Sequence, residues 1–207
     1  MAAALTPRVG CIVLAAGAGR RFGGDKLIAT LRGRAVLQYA VDAACGARTL
    51  SCTLVLGDGA ARILAAVDPR RCAVAVNVEW RSGIASSIGR GLREHSEDDA
   101  CIVMAGDTPF VTSADLDRLI AAWGATSSIV ALRAGAVWGA PVLFPRGDFA
   151  ALHALEGDAG AKRYAAKQRG RLIFVDAQDR NAFADIDTRD DLKRLSGSGT
   201  RRTRRSR

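Results

Sequence analysis

Val9-Gly-Cys-Ile-Val-Leu-Ala-Ala-Gly-Ala-Gly-Arg-Arg-Phe-Gly-Gly-Asp-Lys26 decides the fold class. Its first seven residues form an apolar run of strand length, and glycines follow at once. Gly17 and Gly19 let the backbone bend so that successive N–H groups face an anion. Arg21 and Lys26 add two cations that can meet a triphosphate. A strand running straight into such a loop opens an α/β unit with a phosphate-binding turn. A plain strand-to-helix turn with exposed basic residues is the simpler alternative, although the loop holds more glycine and charge than a tight turn needs.

Two common phosphate loops fail here at chemically necessary positions. A dinucleotide fingerprint places glycine at 17, 19 and 22, but position 22 is Phe22. Its acidic residue about 20 positions on is also missing, since Asp42 sits in a helical pattern. A Walker loop can be aligned from Gly19 to Gly24, yet Asp25 stands where lysine is required and no Ser or Thr follows.

Outward from this loop, apolar runs alternate with segments of helical period. Strands are predicted near Val9–Ala15, Cys52–Leu56, Ala73–Asn77, Cys101–Ala105, Ser128–Leu132, Val142–Phe144 and Leu172–Val175. Helices are predicted near Ala35–Ala44, Ala60–Val67, Ser86–Arg93, Ala114–Ala122, Phe149–Ala154, Ala161–Lys167 and Arg189–Leu195. The alternation implies a largely parallel sheet covered by helices on both faces. Ligands of such sheets bind beyond the carboxyl ends of the strands. The loops after Ala15, Asn77 and Ala105 are therefore the places to look for chemistry.

One of these carries Gly106-Asp-Thr-Pro109. A carboxylate at a strand's carboxyl end suits Mg2+, which takes one or two carboxylates plus substrate phosphates. Asp107 could instead cap the next helix, but Thr112 and Ser113 already serve that purpose. Asp185-Ile-Asp-Thr188 precedes the last helix, where Asp187 or Thr188 reads first as an N-cap and Thr188-x-x-Asp191 as a loose capping box. Ser86 and Ser87 open a helix whose hydroxyls and free N–H groups could meet phosphate. His95, among Glu94, Ser96 and Glu97, is expected to be an exposed loop residue. Trp123 and Trp138 read as packing residues. No G-x-S-x-G elbow supports a serine hydrolase.

Composition limits the remaining readings. The 207 residues suit one domain, and core filling rests on Ala, Val, Leu and Ile because aromatics are only 5%. No apolar run approaches membrane-spanning length, and Met1–Arg8, short and insufficiently apolar, is not expected to act as a secretory signal. Five cysteines without a C-x-x-C spacing suggest a reduced, cytoplasmic protein, with Cys11, Cys72 and Cys101 as small hydrophobes and no zinc site. The net charge is +9, but removing the five arginines of the 201–207 tail leaves +4. The tail, after Ser196-Gly-Ser-Gly199, reads as a solvated end rather than a nucleic-acid contact.

Leu14-Ala-Ala-Gly17-x-Gly19-x-Arg21 with Lys26, then Gly106-Asp107-x-Pro109, then Asp185-Ile-Asp-Thr188, resemble the MobA-like NTP transferases. Three further segments extend the likeness toward the molybdenum cofactor cytidylyltransferase (MocA) branch. They are Asn77-Val-Glu-Trp-Arg-Ser-Gly-Ile-Ala-Ser-Ser-Ile-Gly-Arg-Gly-Leu92, Gly139-Ala-Pro-Val-Leu-Phe144 and Leu155-Glu-Gly-Asp-Ala-Gly-Ala161. The likeness runs from about Val9 to Leu195, giving one domain over residues 1–195 and a linker and basic tail over 196–207.

The resemblance implies an α/β fold: a three-layer, Rossmann-like mixed sheet of the nucleotidyltransferase (GT-A-like) type. It implies a Mg2+-dependent nucleotidyltransferase with Leu14, Ala15, Ala16, Gly17, Gly19, Arg21 and Lys26 on the nucleotide. Lys26, Arg21 and Asp107 would be catalytic, and Asp107 and Asp187 would bind the metal. Ser86, Ser87 and Ala140 fall on the acceptor side. Ala15-Ala16 resembles the cytidylyl branch, which favours CTP over GTP. The implied partners are the NTP, a small phosphorylated acceptor such as molybdopterin, and a molybdenum hydroxylase or its chaperone; no membrane or nucleic acid is implied. Three departures lie near the acceptor: Thr108 where the family often has Gln, Ala140 where it has His, and Ile84-Ala85 where it has Met-Ser. A sugar- or alcohol-phosphate acceptor, or a non-catalytic accessory role in hydroxylase maturation, are the alternatives.

Overall fold

The structure is a computed structural model that describes residues 6–17, 22, 24–184, 186 and 188–197. In chain order its elements are β1 (Val9–Ala15), the short hairpin β2 (Thr30–Leu31) and β3 (Arg34–Ala35), α1 (Val36–Gly46), β4 (Ser51–Leu56), α2 (Ala60–Ala66), β5 (Ala73–Val76), α3 (Ile84–Leu92), β6 (Ala100–Ala105), α4 (Ser113–Trp123), β7 (Ile129–Ala134), β8 (Val137–Pro145), α5 (Phe149–His153), α6 (Ala161–Lys167), β9 (Leu172–Asp176) and α7 (Arg189–Gly197).

Seven strands form one sheet in the order β5-β4-β1-β6-β8-β7-β9. β1 runs parallel to β4 and β6, and β4 parallel to β5. β8 runs against both its neighbours, β6 and β7, while β9 is parallel to β7. The sheet is thus mixed, as the resemblance implied, with a single reversed strand. Gly135 (φ 63°) and Ala136 are all that separates β7 from β8. So short a link can only return the chain antiparallel, because a parallel partner needs a crossover of a dozen residues or more. β8 also begins five residues before the predicted Val142. Its first half, Val137-Trp-Gly-Ala-Pro141, lacks a continuous apolar run and joins the sheet past a register shift between Ala131 and Leu132.

Strand alternation builds two cores. Cys11, Val13 and Ala15 of β1 face one side with Leu37, Ala40 and Val41 of α1 and Leu116 and Leu119 of α4. Ile12 faces the other with Ile88 and Leu92 of α3, Leu152 of α5 and Ala165 of α6. Burying an aliphatic side chain of this kind contributes about 1.5–3 kcal/mol. A third, smaller cluster of Phe22, Leu31, Val36, Ile186 and Leu195 ties α7 to the hairpin. No helix among the described residues is long and apolar enough to cross a membrane.

Helix starts follow their caps. The Thr112 hydroxyl accepts from Asp115 N while Asp115 Oδ2 accepts from Thr112 N, a closed capping box at α4. Thr188 and Asp191 repeat it at α7. Asp107 is therefore not needed as a cap.

His95 corrects an expectation. It is buried at 1% exposure, with Nδ1 2.8 Å from Asp98 Oδ2 and Nε2 3.0 Å from Thr53 Oγ1. The spacing Ile88, Leu92, His95 continues the inward stripe of α3 by a further turn, and this outweighs the charged neighbours in sequence. The ring lies directly beneath β1. A Cβ at Gly10 would come within 2.1 Å of His95 Nδ1.

Candidate active site

The carboxyl ends of the parallel strands β1, β4, β5 and β6 open into a cleft of ≈ 520 Å³. β1 delivers Leu14, Ala15, Ala16 and Gly17 to its wall, and β6 delivers Ala105 and Asp107. The junction is fixed by backbone pairing, since Gly106 N donates to Leu14 O at 2.8 Å. Lys26 reaches the cleft from a single 3-10 turn, Lys26–Ile28, that follows Asp25 in the left-handed region (φ 57°). Lys26 Nζ lies 2.8 Å from Asp107 Oδ2. The lysine side chain is largely buried, at 12% exposure, whereas Asp107 is open at 38%. A cation and a carboxylate from loops 81 residues apart thus meet in one wall of the cleft.

The segments after β4 and β5 complete the lining of the cleft. Asp58, Arg62 and Ile63 line it, and Arg62 Nη2 pairs with Asp25 Oδ1 at 2.9 Å, tying α2 to the glycine-rich loop. Trp80 and Arg81 follow, with the guanidinium 4.5 Å above the indole ring. Gly83 sits at φ 113°, and a Cβ there would lie 2.2 Å from the Gly157 carbonyl. Only glycine permits this approach. It lets Ala85 N donate to Gly157 O at 3.1 Å and brings Asp158 into the lining.

Of the residues singled out in the sequence, the structure gathers Leu14, Ala15, Ala16, Gly17, Lys26, Asp107 and Ser87 around one cleft. Gly19, Arg21 and Asp187 lie outside the described residues. Ser86 and Ala140 are not among the residues lining the cleft. The Ser86 hydroxyl donates to Gly83 O at 2.8 Å and accepts from Asn77 Nδ2 at 2.9 Å, which holds the 77–83 turn in shape. Asn77 Nδ2 also reaches Ser87 Oγ at 3.0 Å. The first turn of α3 spends one N–H on Gly157, so its anion-binding capacity is smaller than the sequence suggested.

The model of the MobA-like NTP transferase domain matches residues 11–172, which contain every described wall of this cleft. The chain belongs to the MobA-like NTP transferase domain family. It is thereby a member of a nucleotidyltransferase family. Rv0371c of Mycobacterium tuberculosis H37Rv superimposes with TM-score 0.78 at 31% identity, over 93% of this chain and 98% of that one. The same protein in complex with manganese gives TM-score 0.76 at 31%, over 92% and 99%. Nicotine blue oxidoreductase of Paenarthrobacter nicotinovorans is 27% identical over 201 residues, spanning 91% of this chain and 97% of that protein. Molybdopterin-guanine dinucleotide biosynthesis protein A from Archaeoglobus fulgidus shares the fold at 18% identity and TM-score 0.62, over 90% and 96%.

Within this MobA-like domain, sequence reasoning missed Asp58, Arg62, Trp80, Arg81 and Asp158 as cleft residues. The rule that ligands bind at strand carboxyl ends covers the loop after Leu56 as well, and applying it there finds Asp58 and Arg62. Trp80 and Arg81 lay inside the segment Asn77–Leu92 that carried the family likeness. Asp158 lay inside the likeness segment Leu155–Ala161 without being singled out as a site residue, and the Gly83–Gly157 contact brings that segment to the cleft.

Proposed function

We propose that this chain transfers the NMP moiety of CTP to the terminal phosphate of a molybdopterin and releases pyrophosphate. The observation that carries this reading is the convergence of Gly17, Lys26 and Asp107 on one cleft at the carboxyl ends of β1 and β6. Family membership supports nucleotidyl transfer. Ala15-Ala16 in the cleft wall supports the cytidylyl branch, and the Arg81-capped face of Trp80 supports a flat aromatic group among the substrates.

In this reaction an anionic acceptor oxygen attacks the α-phosphorus in line. The new O–P bond forms as the bond from the α-phosphorus to the bridging oxygen breaks, and pyrophosphate leaves with that oxygen. An ionised phosphate acceptor needs no general base, which accords with the cleft lining: neither His95 nor His153 belongs to it. The work of the protein is positioning and charge neutralisation. Lys26 neutralises phosphate charge, and Gly17 leaves room for close backbone approach. Asp107 offers a hard oxygen donor of the kind that Mg2+ takes alongside substrate phosphates, with Asp187 as the second ligand that the resemblance implies. When bound there, Mg2+ supplies charge neutralisation and a template for the in-line geometry. The manganese complex of Rv0371c supports a divalent cation for this chain too. A molybdenum hydroxylase or its chaperone is the partner that would receive the product.

The test is pyrophosphate release with Mg2+ and each of CTP, GTP, ATP and UTP, with and without molybdenum-loaded molybdopterin. Release that needs both CTP and the pterin is the expected result. Release with another nucleotide or acceptor overturns the substrate assignment and leaves nucleotidyl transfer standing. A folded protein that releases no pyrophosphate with any phosphorylated acceptor, but oxidises a nicotinamide hydride donor, overturns the whole reading.

A further inference from the structure

Three of the five cysteines meet at the edge of the sheet opposite the cleft. Cys45 comes from the last turn of α1, Cys52 from the start of β4 and Cys72 from the residue preceding β5. Cys45 Sγ lies 3.6 Å from Cys52 Sγ and 3.5 Å from Cys72 Sγ, and Cys52 Sγ and Cys72 Sγ lie 2.7 Å apart. Cys52 and Cys72 are buried, and Cys45 is partly exposed. The sequence separations of 7 and 20 residues conceal the group. β4 and β5 pair in parallel, and their amino-terminal ends meet under the last turn of α1.

We propose that Cys45, Cys52 and Cys72 form a three-thiolate site for a thiophilic divalent cation, Zn2+ foremost. Thiolate ligands select such ions over the hard cations that suit the carboxylates of the cleft. Tetrahedral Zn–S bonds of about 2.3 Å set the sulfurs about 3.8 Å apart. The two Cys45 distances already fall close to that value. Cys52 and Cys72 need to part by about 1 Å, which relieves their close contact as each bonds the ion. Solvent completes the shell on the partly exposed side of Cys45, and the thiol protons pass to solvent on binding. A disulfide would use two of the sulfurs and leave the third without a role, although it touches both.

The surrounding groups hold the triad in place. Arg71 Nε donates to Cys45 O at 3.0 Å, and its Nη2 donates to Ala47 O, Thr49 O and Thr49 Oγ1 at 3.1–3.2 Å. One guanidinium thus locks the 44–49 turn, which carries Cys45, onto the residue beside Cys72. Its positive charge also offsets the charge that three thiolates bring. β4 spans Ser51–Leu56, so the triad sits about 15 Å from the cleft and takes no part in its chemistry.

The experiment titrates Cd2+ into the full-length protein, reduced and kept anaerobic, and follows thiolate-to-metal charge-transfer absorption, proton release and thermal stability. One ion per chain, a rise in Tm and displacement of Cd2+ by Zn2+ are expected. Cys45→Ser, at the partly exposed position, weakens binding by at least about 10–100-fold while the protein stays folded. Cys101→Ala, on the other face of the sheet, leaves it unchanged. Absence of a stoichiometric ion in the reduced wild-type protein overturns the site, and so does equal affinity of wild type and Cys45→Ser. The site is likewise overturned if Cys52 and Cys72 remain disulfide-linked under reduction that frees every other thiol.

Discussion

Lys26 Nζ and Asp107 Oδ2 stand 2.8 Å apart at the junction of two loops that the sequence separates by 81 residues. Each is the natural partner of a different part of a metal–triphosphate: lysine of phosphate oxygens, aspartate of the cation. Their pairing places both charges where the substrate would otherwise have to assemble them. The partial burial of the lysine keeps its ammonium directed at the cleft.

Asp107→Ala is expected to lower pyrophosphate release by about 100-fold or more, the usual cost of removing a main electrostatic contact. The carboxylate is open to solvent and caps no helix, so the variant keeps the wild-type circular dichroism and thermal midpoint. Near-normal turnover from a folded variant would remove Asp107 from the site.

Chelation makes a second test. Stripping divalent cations with EDTA should abolish pyrophosphate release, and Mg2+ or Mn2+ should restore it. Turnover that persists in EDTA would show that Lys26 and the loop suffice without a cation.

Gly83→Ala places a methyl group against the Gly157 carbonyl at a backbone angle that L-residues rarely adopt. The expected loss of stability is on the order of 1–3 kcal/mol, read as a lower urea midpoint. Because the same contact brings Asp158 into the cleft, substrate KM rises as well. An unchanged urea midpoint would mean that the 155–160 turn moves aside freely.

His95→Ala removes a buried ring and takes a hydrogen-bond partner from both Asp98 and Thr53. An unsatisfied buried polar group costs about 1–3 kcal/mol, so the urea midpoint falls while nucleotide KM stays constant. Gly10→Ala, which drives a methyl group into the same ring, should destabilise similarly. A change in nucleotide KM without loss of stability would instead place His95 in the functional machinery.

Trp80→Ala probes the aromatic wall. Loss of the stacking face should raise KM for one substrate by about 10-fold or more while kcat changes less, because an indole that binds equally in ground and transition states affects binding alone. Equal KM for both substrates in the variant and wild type would assign Trp80 to packing.

The elements that were legible in the sequence are those with strong local signals. Val9–Ala15 is a continuous apolar run between a polar start and glycines, and its strand matches residue for residue. Cys101–Ala105 with Asp107 and the helix opened by Thr112 were equally plain. The reversed strand was less so, since Gly139 and Pro141 interrupt its pattern. The glycine-rich loop, the strand-end aspartate and the lysine were readable because a strand's carboxyl end is a fixed place for ligands in such sheets.

By itself, then, the sequence determined the alternation of strands and helices, the family and the chemical types gathered for a phosphate site, because periodicity, glycine content and motif order are local properties of the chain. Tertiary structure alone decided which distant residues became neighbours. It buried His95 beneath Gly10, brought Trp80 and Arg81 into the same cleft as Lys26, carried Asp158 there through two touching glycines and brought Cys45, Cys52 and Cys72 within reach of one another. These contacts follow from parallel strand register and helix crossover. No local window of sequence encodes either, because both are settled by packing against the rest of the sheet.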